Sequence, residues 1–206
     1  MAERNPTYFD GDLRRALLDA AKEEIGRVGL NNVSLRSLAR KVGVSHAAPA
    51  HHFRTRAGLL SALAVEAFEA LRQSMLDELA GLTADADAVD RLKAAGRGYA
   101  EFTQQEPALF AVMFLFEELD WSHSALAETA ETAFQVLIDA VDAITVANPT
   151  PPGDRQILVI AAWSLVHGLA VLWHNGPLPM LFQGTSLTGL GERATDAFAE
   201  ALARQI

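Results

Sequence analysis

The stretch "SLRSLARKVGVSHAAPAHHF", Ser34 to Phe53, holds two short helical segments with almost nothing between them. Ser34 suits the N-cap of a helix over 35–42, and Gly43 stops it, because glycine takes the left-handed conformation of a helix end at no steric cost. Ser45 reads as a second N-cap, opening another helix through about His52. Only "VGVS" joins the two; small Ala39 permits close approach, and Leu38, Val42 and Val44 supply packing. This is the pattern of a helix-turn-helix. In such a unit the second helix enters the DNA major groove with its amino-terminal residues on base edges, while the first crosses the backbone.

His46, His51 and His52 invite a metal reading. Their spacings are five, six and one, whereas a helical metal pair uses three or four to bring both imidazoles to one face. No carboxylate lies among them, so no metal site and no cofactor is expected. His51 and His52 are expected either to line the DNA-facing surface or to pack beside Phe53.

Outward from this stretch, helical periodicity continues nearly everywhere and no run alternates as a strand does. Leu13, Leu17, Ala21, Ile25 and Val28 mark a helix over about 11–28. Leu60, Leu63, Ala67, Leu71, Met75 and Leu79 mark a long one over about 56–82. Further helices are expected near 86–104, 107–118, 123–147, 154–174 and 190–205, separated by "QEPALF", "DWSHS", "NPTPPGD" and "NGPLP". The fold class is therefore all-α, with about nine helices. A helix-turn-helix domain over 1–55 joins through the long helix to a helical bundle over 56–206.

The 206 residues include no cysteine, which removes disulfides, thiol nucleophiles and cysteine-metal sites. The amino terminus carries charges where a signal peptide would need an apolar core, so the expectation is a cytoplasmic protein. The net charge of -9 is unevenly spread. Residues 1–60 hold ten Lys and Arg against six Asp and Glu, giving +4, and residues 61–206 hold seven against twenty, giving -13. A basic unit on an acidic body suits a domain that docks on phosphates while its carrier stays off them. Residues 157–173 lack charge, but fall short of the roughly 20 residues a bilayer core demands and hold Ser164, His167 and Gly168, so a buried or interface helix is expected rather than a membrane span.

The segment "SLRSLARKVGVSHAAPAHHFRTRAGLL" resembles the DNA-binding signature of TetR-family transcriptional regulators, running from about Leu13 to Leu60. Downstream, "AAWSLVHGLAVL" is similar to the Trp-x-x-x-His-Gly segment of the WHG type of TetR carboxy-terminal domain, and "QEPALFAVMF" to that domain's proline-plus-aromatic helix entry. The resemblance implies that Ser45, His46 and Ala47 open the recognition helix and reach base edges, and that Arg36, Thr55 and Arg56 contact phosphates. The sequence departs from the family at Ala50, where a tyrosine is usual and both its phosphate-donating hydroxyl and its ring are deleted. Pro49 stands in the first turn of the recognition helix, where a missing amide costs little.

The resemblance also implies an inducer cavity in the bundle. Phe102, Phe110, Met113, Phe114, Trp121, Phe134, Trp163 and His167 are its candidate lining, with His123 or His167 as the polar anchor, and such walls favour an uncharged apolar or aromatic molecule. The alternative for each is ordinary core. The helix near 154–174 is apolar nearly all round, so more than one face must be covered. Ala161, Gly168 and Leu172, with Phe198 and Leu202 of the last helix, are the expected homodimer surface.

The function expected is thus a ligand-responsive DNA-binding transcriptional regulator. It would be a repressor that binds a palindromic double-stranded DNA operator as a homodimer and is released by a small-molecule inducer. The alternative is a small-molecule-binding protein whose DNA reader is impaired by Ala50. An enzyme is not expected, since no Ser-His-Asp arrangement, paired-carboxylate helix or phosphate loop stands out.

Overall fold

The computed structural model describes residues 10–122, 124–147 and 152–205. Among them there are ten α-helices and no strand. They are α1 (Asp10–Val28), α2 (Leu35–Val42), α3 (Ala48–Phe53), α4 (Arg56–Ala80), α5 (Ala88–Gln105), α6 (Pro107–Met113), α7 (Ser124–Ala147), α8 (Pro152–His174), α9 (Leu178–Leu181) and α10 (Leu187–Gln205). One turn of 3-10 helix, Leu30–Asn32, follows α1. His123 lies outside the described residues.

Two compact units emerge. The first comprises the chain through Phe68 together with Pro107–Thr129; the second comprises Glu69–Glu106 and Ala130–Ile206. The division differs from a simple cut at residue 55, because α6 packs on α1 rather than with the later helices. α4 is continuous through Phe68 and Glu69 and so contributes to both.

In the first unit α1, α2, α3 and α6 enclose Leu17, Leu18, Ala21, Leu38, Phe53, Leu60 and Leu63, all buried. The α1 and α4 residues among these repeat at three or four, as the helical period demands. In the second, α5 packs against α8 and α10 around Leu92, Val141, Ile144, Val159, Ala162 and Ala199. Gly98 permits the contact of α5 with α4, since a Cβ there would stand 2.5 Å from the Met75 Cα.

Three sequence expectations shift. α6 ends at Met113, not near 118, because tertiary anchors seize the chain beyond it: Arg56 pairs with Glu118, and the Asp120 amide donates to Ser61 Oγ at 2.8 Å. α3 begins at Ala48, two residues late. α9 had no periodic signal at all, four residues being too short to show one.

Candidate nucleic-acid interface and ligand-facing clusters

Local chemistry builds α2 as expected. Ser34 Oγ accepts from the Ser37 amide at 3.1 Å, Ser37 Oγ accepts from the Ser34 amide at 3.1 Å, and the two caps close reciprocally. Gly43 sits at φ 80°, ψ 29°, the left-handed stop, with its amide donating to the Ala39 carbonyl at 3.0 Å. The turn is tight because Val44 donates to the same carbonyl at 2.9 Å.

Ser45 does not cap α3. The Ala48 amide donates to the Ser45 carbonyl at 3.1 Å, so residues 45–47 form a turn, Ala47 is the flanking residue, and no side chain caps the helix. Pro49 explains the shift: it occupies the first turn of α3, where its fixed φ suits helix initiation and no amide is missed. Ser45, His46 and Ala47 are therefore presented ahead of α3, all three exposed, as are Ala50 and His51. His52 is half-buried, its ring 6.2 Å from that of Phe53 and 5.6 Å from that of His51.

Between α3 and α4 the backbone is strained. Arg54 adopts φ 61°, ψ -58°, and the Thr55 amide donates to the Phe53 carbonyl at 2.6 Å, forming the rare γ-turn with positive φ. Gly58 is required there, since a Cβ would lie 2.1 Å from the Phe53 carbonyl oxygen. The turn places Thr55 as the cap of α4, with Oγ1 accepting from the Gly58 amide at 3.1 Å. Strain of this kind persists where surroundings over-determine it, and it fixes the joint between α3 and the long helix.

The cations divide into two classes. Arg56, expected on a phosphate, is instead turned inward. Its Nε donates to the Val33 carbonyl at 3.3 Å, one terminal nitrogen donates to the Leu30 carbonyl at 3.2 Å, and the other pairs with Glu118. A guanidinium so committed locks the 3-10 turn to α4 and has little left for DNA. Lys41 is held by Glu23 at 3.0 Å and Glu24 at 3.1 Å, and Arg27 by Glu24. Arg36 is exposed and has no ion pair among the described residues. So is Arg40, which sequence reasoning passed over; its position four residues after Arg36 puts both on one face of α2, and that spacing was the available signal.

The aromatic candidates fall into separate clusters. In the first unit Phe110 and Met113 are buried, and Phe114 lies edge-on to Phe110 and Phe68, each at 6.2 Å. Trp121 stacks on exposed Phe116 at 4.8 Å, and its indole Nε1 is buried without a hydrogen-bond partner among the described residues. In the second unit Phe102 is buried, while Phe134 stands edge-on to Trp163 at 5.1 Å, and Trp163 lies 5.5 Å from His167.

Tyr99 completes this second cluster, and sequence reasoning missed it. Its hydroxyl lies 2.9 Å from His167 Nδ1 and also takes a hydrogen bond from Trp163. Indole is a donor only, so the tyrosine accepts from Trp163, and its hydroxyl shares a second hydrogen bond with His167 Nδ1. Burial pushes the Tyr99 hydroxyl well above its ordinary range and the His167 imidazolium below its own. Burial thus favours a neutral histidine in an apolar wall.

On α8, Val159, Ala162, Val166 and Ala170 are buried, whereas Ile157, Ile160, Ser164, Val171 and Leu172 are exposed. Ala161 and Gly168 flank the exposed face, half-buried. Leu202 is corrected: it is buried in the core of its own chain, because α10 turns Ala199 and Leu202 onto α5 and α8, and Phe198 packs beside them. Among the described residues no group of three or more His, Asp or Glu converges to hold a metal ion. By length and composition alone, Arg155–His174 is long and apolar enough to cross a membrane, with a mean hydropathy of 1.8.

Residues 17–63 match the family described as bacterial regulatory proteins, tetR family, and residues 92–205 match the tetracyclin repressor-like, C-terminal domain. The chain is 34% identical over 103 residues to the HTH-type transcriptional regulator BetI of Escherichia coli O139:H28, covering 50% of this chain and 52% of that protein. It thus spans about half the length of the curated relatives it matches. A protein of unknown function from Rhodococcus sp. RHA1 is 30% identical with a TM-score of 0.78, over 97% of this chain and 100% of that one. A bacterial regulatory protein in the tetR family from Rhodococcus RHA1 shares the fold at 18% identity, TM-score 0.70, over 95% and 98% of the two chains.

Proposed function

Since the chain belongs to the TetR family of bacterial regulatory proteins, we propose that it is a cytoplasmic repressor that binds a palindromic operator as a homodimer and releases it on taking up a small, uncharged apolar or aromatic molecule. One observation carries the DNA half: Arg36 and Arg40 on one face of α2, with Ser45, His46, Ala47 and His51 at the entry and first turns of α3, are all exposed, while Lys41 and Arg27 are held by carboxylates. Arg36, Arg40 and Thr55 then meet phosphates, and the residues leading into α3 read bases.

The ligand half is supported by two features. The Trp121 indole N–H is buried with no hydrogen-bond partner among the described residues, which an acceptor on a bound molecule would satisfy. Phe134, Trp163 and His167 form a half-open aromatic wall, its histidine kept neutral by burial and bonded to Tyr99. α4, continuous through both units, is the element whose tilt would convert occupancy into a change of recognition-helix spacing. A coupling of about 1 to 3 kcal/mol would change affinity 5- to 150-fold.

A second reading follows from Ala50, exposed and without a hydroxyl: the reader is impaired and the protein only binds its ligand. Selection of bound duplexes from a random library, followed by salt titration of the winner for wild type and Ala50→Tyr, separates the two. An enriched palindrome with steep salt dependence supports the regulator, with Ala50→Tyr several-fold tighter, as one added hydrogen bond of about 0.5 to 1.5 kcal/mol requires. Enrichment by Ala50→Tyr alone selects the impaired reader, and enrichment by neither sinks DNA regulation.

A further inference from the structure

The first half of α4 turns two unlike faces toward the rest of the first unit. Leu59, Leu60 and Leu63 are wholly buried in its core. Gly58, Ala62 and Val65 stand at i, i+4 and i+7 on another face, and over these positions no side chain is larger than valine. Gly58 has to be small, because the γ-turn at Arg54 brings the Phe53 carbonyl against it. Ala62 and Val65, one and two turns on, are only half-buried, and beside them the chain leaves a cavity of about 480 Å³. The joint between α3 and α4, Arg14 of α1, and Asp120 and Ala125 wall its other sides, all within the first unit.

The lining sorts by chemistry. Ala62, Val65 and Ala125, from the second and third turns of α4 and the start of α7, are apolar, whereas Arg14, His51, Arg54 and Thr55, from α1 and the joint, bring hydrogen-bond donors. Arg14 lies over the Phe53 ring, its Cζ 5.6 Å from the centroid. Stacking of this kind holds a guanidinium by its face and leaves the N–H groups at its edge open. Arg14 and Arg54 are exposed and form no ion pair among the described residues. Asp120 is the opposing carboxylate, and its Oδ1 already accepts from the Ser122 amide at 3.1 Å and the Ser122 hydroxyl at 2.5 Å. Two guanidiniums against one carboxylate leave the wall cationic, whether or not His51 and His52 are protonated.

We propose that this cavity binds a small organic anion, a carboxylate on an apolar body, whose charge meets Arg14 and Arg54 and whose body lies on Ala62, Val65 and Ala125. A planar guanidinium suits a carboxylate through paired hydrogen bonds. The space falls within the range of about 300 to 1,000 Å³ that ligand pockets occupy. A bare inorganic anion would leave most of it empty, and an uncharged molecule would leave the guanidiniums without an acceptor. The site shares no residue with the Phe134, Trp163 and His167 wall of the second unit, whose occupant is uncharged in the reading above.

Occupancy has a consequence for DNA. His51 and Thr55 belong both to the cavity wall and to the exposed surface proposed above to meet the operator. An anion held there engages donors that a phosphate needs, so the two compete. This competition rests on the DNA-binding reading; anion binding itself does not.

Cinnamate and octanoate, a flat and a flexible apolar body on one carboxylate, are the probes, titrated calorimetrically into the full chain. Cinnamyl alcohol, octanol and inorganic phosphate are the controls. At least one carboxylate is expected to bind once per chain, roughly tenfold or more tightly than its alcohol or phosphate, as charged hydrogen bonds require. Arg14→Gln, on an exposed side chain, is expected to lose that margin and leave the alcohol unchanged, and Val65→Trp, which fills the cavity, to abolish binding. No binding of either carboxylate, or equal affinity in wild type and Arg14→Gln, overturns the site. Phosphate bound as tightly as the carboxylates makes the cavity a seat for the DNA backbone and overturns the organic ligand. On the selected operator, the tighter carboxylate at about ten times its dissociation constant is expected to weaken wild-type binding about tenfold and to spare Arg14→Gln. Anion binding with operator affinity unmoved overturns the competition, and anion binding by a chain that selects no duplex overturns the DNA reading and leaves the site.

Discussion

The α2–α3 reader and the α8 helix are each incomplete in a single chain, in opposite ways. The reader leaves charge and hydrogen-bonding groups open, Arg36 and Arg40 above all, and its core faces are fully packed. α8 leaves Ile157, Ile160 and Leu172 open, with no charge on that face. A charged vacancy is filled by a polyanion, weakly per contact and with strong salt dependence. An apolar vacancy is filled by a shaped surface and responds little to salt. The contrast teaches that exposure alone does not name a partner; the chemistry of what is exposed does.

The largest expected effect breaks the apolar side. Ser164→Arg places a charge at the centre of the exposed α8 face, and desolvating it there is expected to weaken the dimer at least 100-fold and operator affinity with it. Thermal stability of the monomer should hold within about 0.5 kcal/mol, because Ser164 is exposed and touches no core. Sedimentation equilibrium beside a melting curve checks both; loss of folding with loss of dimer would mean that this face is internal packing.

Next comes Arg56→Ala, which tests whether that cation belongs to the reader or to the scaffold. Removing the donor to the Leu30 and Val33 carbonyls and the pair to Glu118 is expected to destabilise the protein by about 2 to 4 kcal/mol, most of it from the two charged hydrogen bonds. The half-exposed ion pair adds at most about 1. Lys is not expected to rescue, since an ammonium lacks the planar fork that reaches three acceptors. Urea unfolding measures the loss, and an unchanged salt slope of operator binding marks the role as structural. Arg36→Ala is the counterpart, expected to leave stability within about 0.5 kcal/mol, flatten that slope by about 0.9 and weaken binding about tenfold or less.

The same contrast explains what was legible beforehand. Ser34, Gly43 and the period of Leu60 to Leu79 each obey a local rule, so α1, α2 and α4 could be read directly. Arg56 could not, because an arginine at a helix start is equally apt for a phosphate or for carbonyls 23 and 26 residues upstream, and only tertiary structure decides. The start of α3 slipped for a related reason: Ser45 and Pro49 both signal a helix beginning, and the proline prevailed. Tyr99 was invisible because its partners, Trp163 and His167, lie more than sixty residues away on another helix. Leu202 reads as an interface residue by period alone, and α10 had two candidate faces to bury.

The smallest expected effect concerns the flank of α8 where Trp163 and His167 lie. Burial holds the His167 imidazolium below its ordinary range, and His174 is lowered by burial too, partly offset by its bond to the Thr103 backbone. In the unfolded chain each titrates at about 6.5. Between the folded and unfolded values the unfolded state binds more protons, so stability rises with pH; it is complete above about 6.5 and is lost as pH falls toward the folded values. Unfolding free energy should therefore drop between pH 7 and pH 5, and less steeply in His167→Gln. Protonation would also make both ring nitrogens donors beside Tyr99 and place a charge 5.5 Å from the Trp163 ring, so the loss should be accompanied by a change in Trp163 fluorescence. A wild-type curve as shallow as that of His167→Gln would mean that water already reaches the imidazole. The flank would then be an open cleft rather than a neutral wall, and α8 would have polar as well as apolar vacancies.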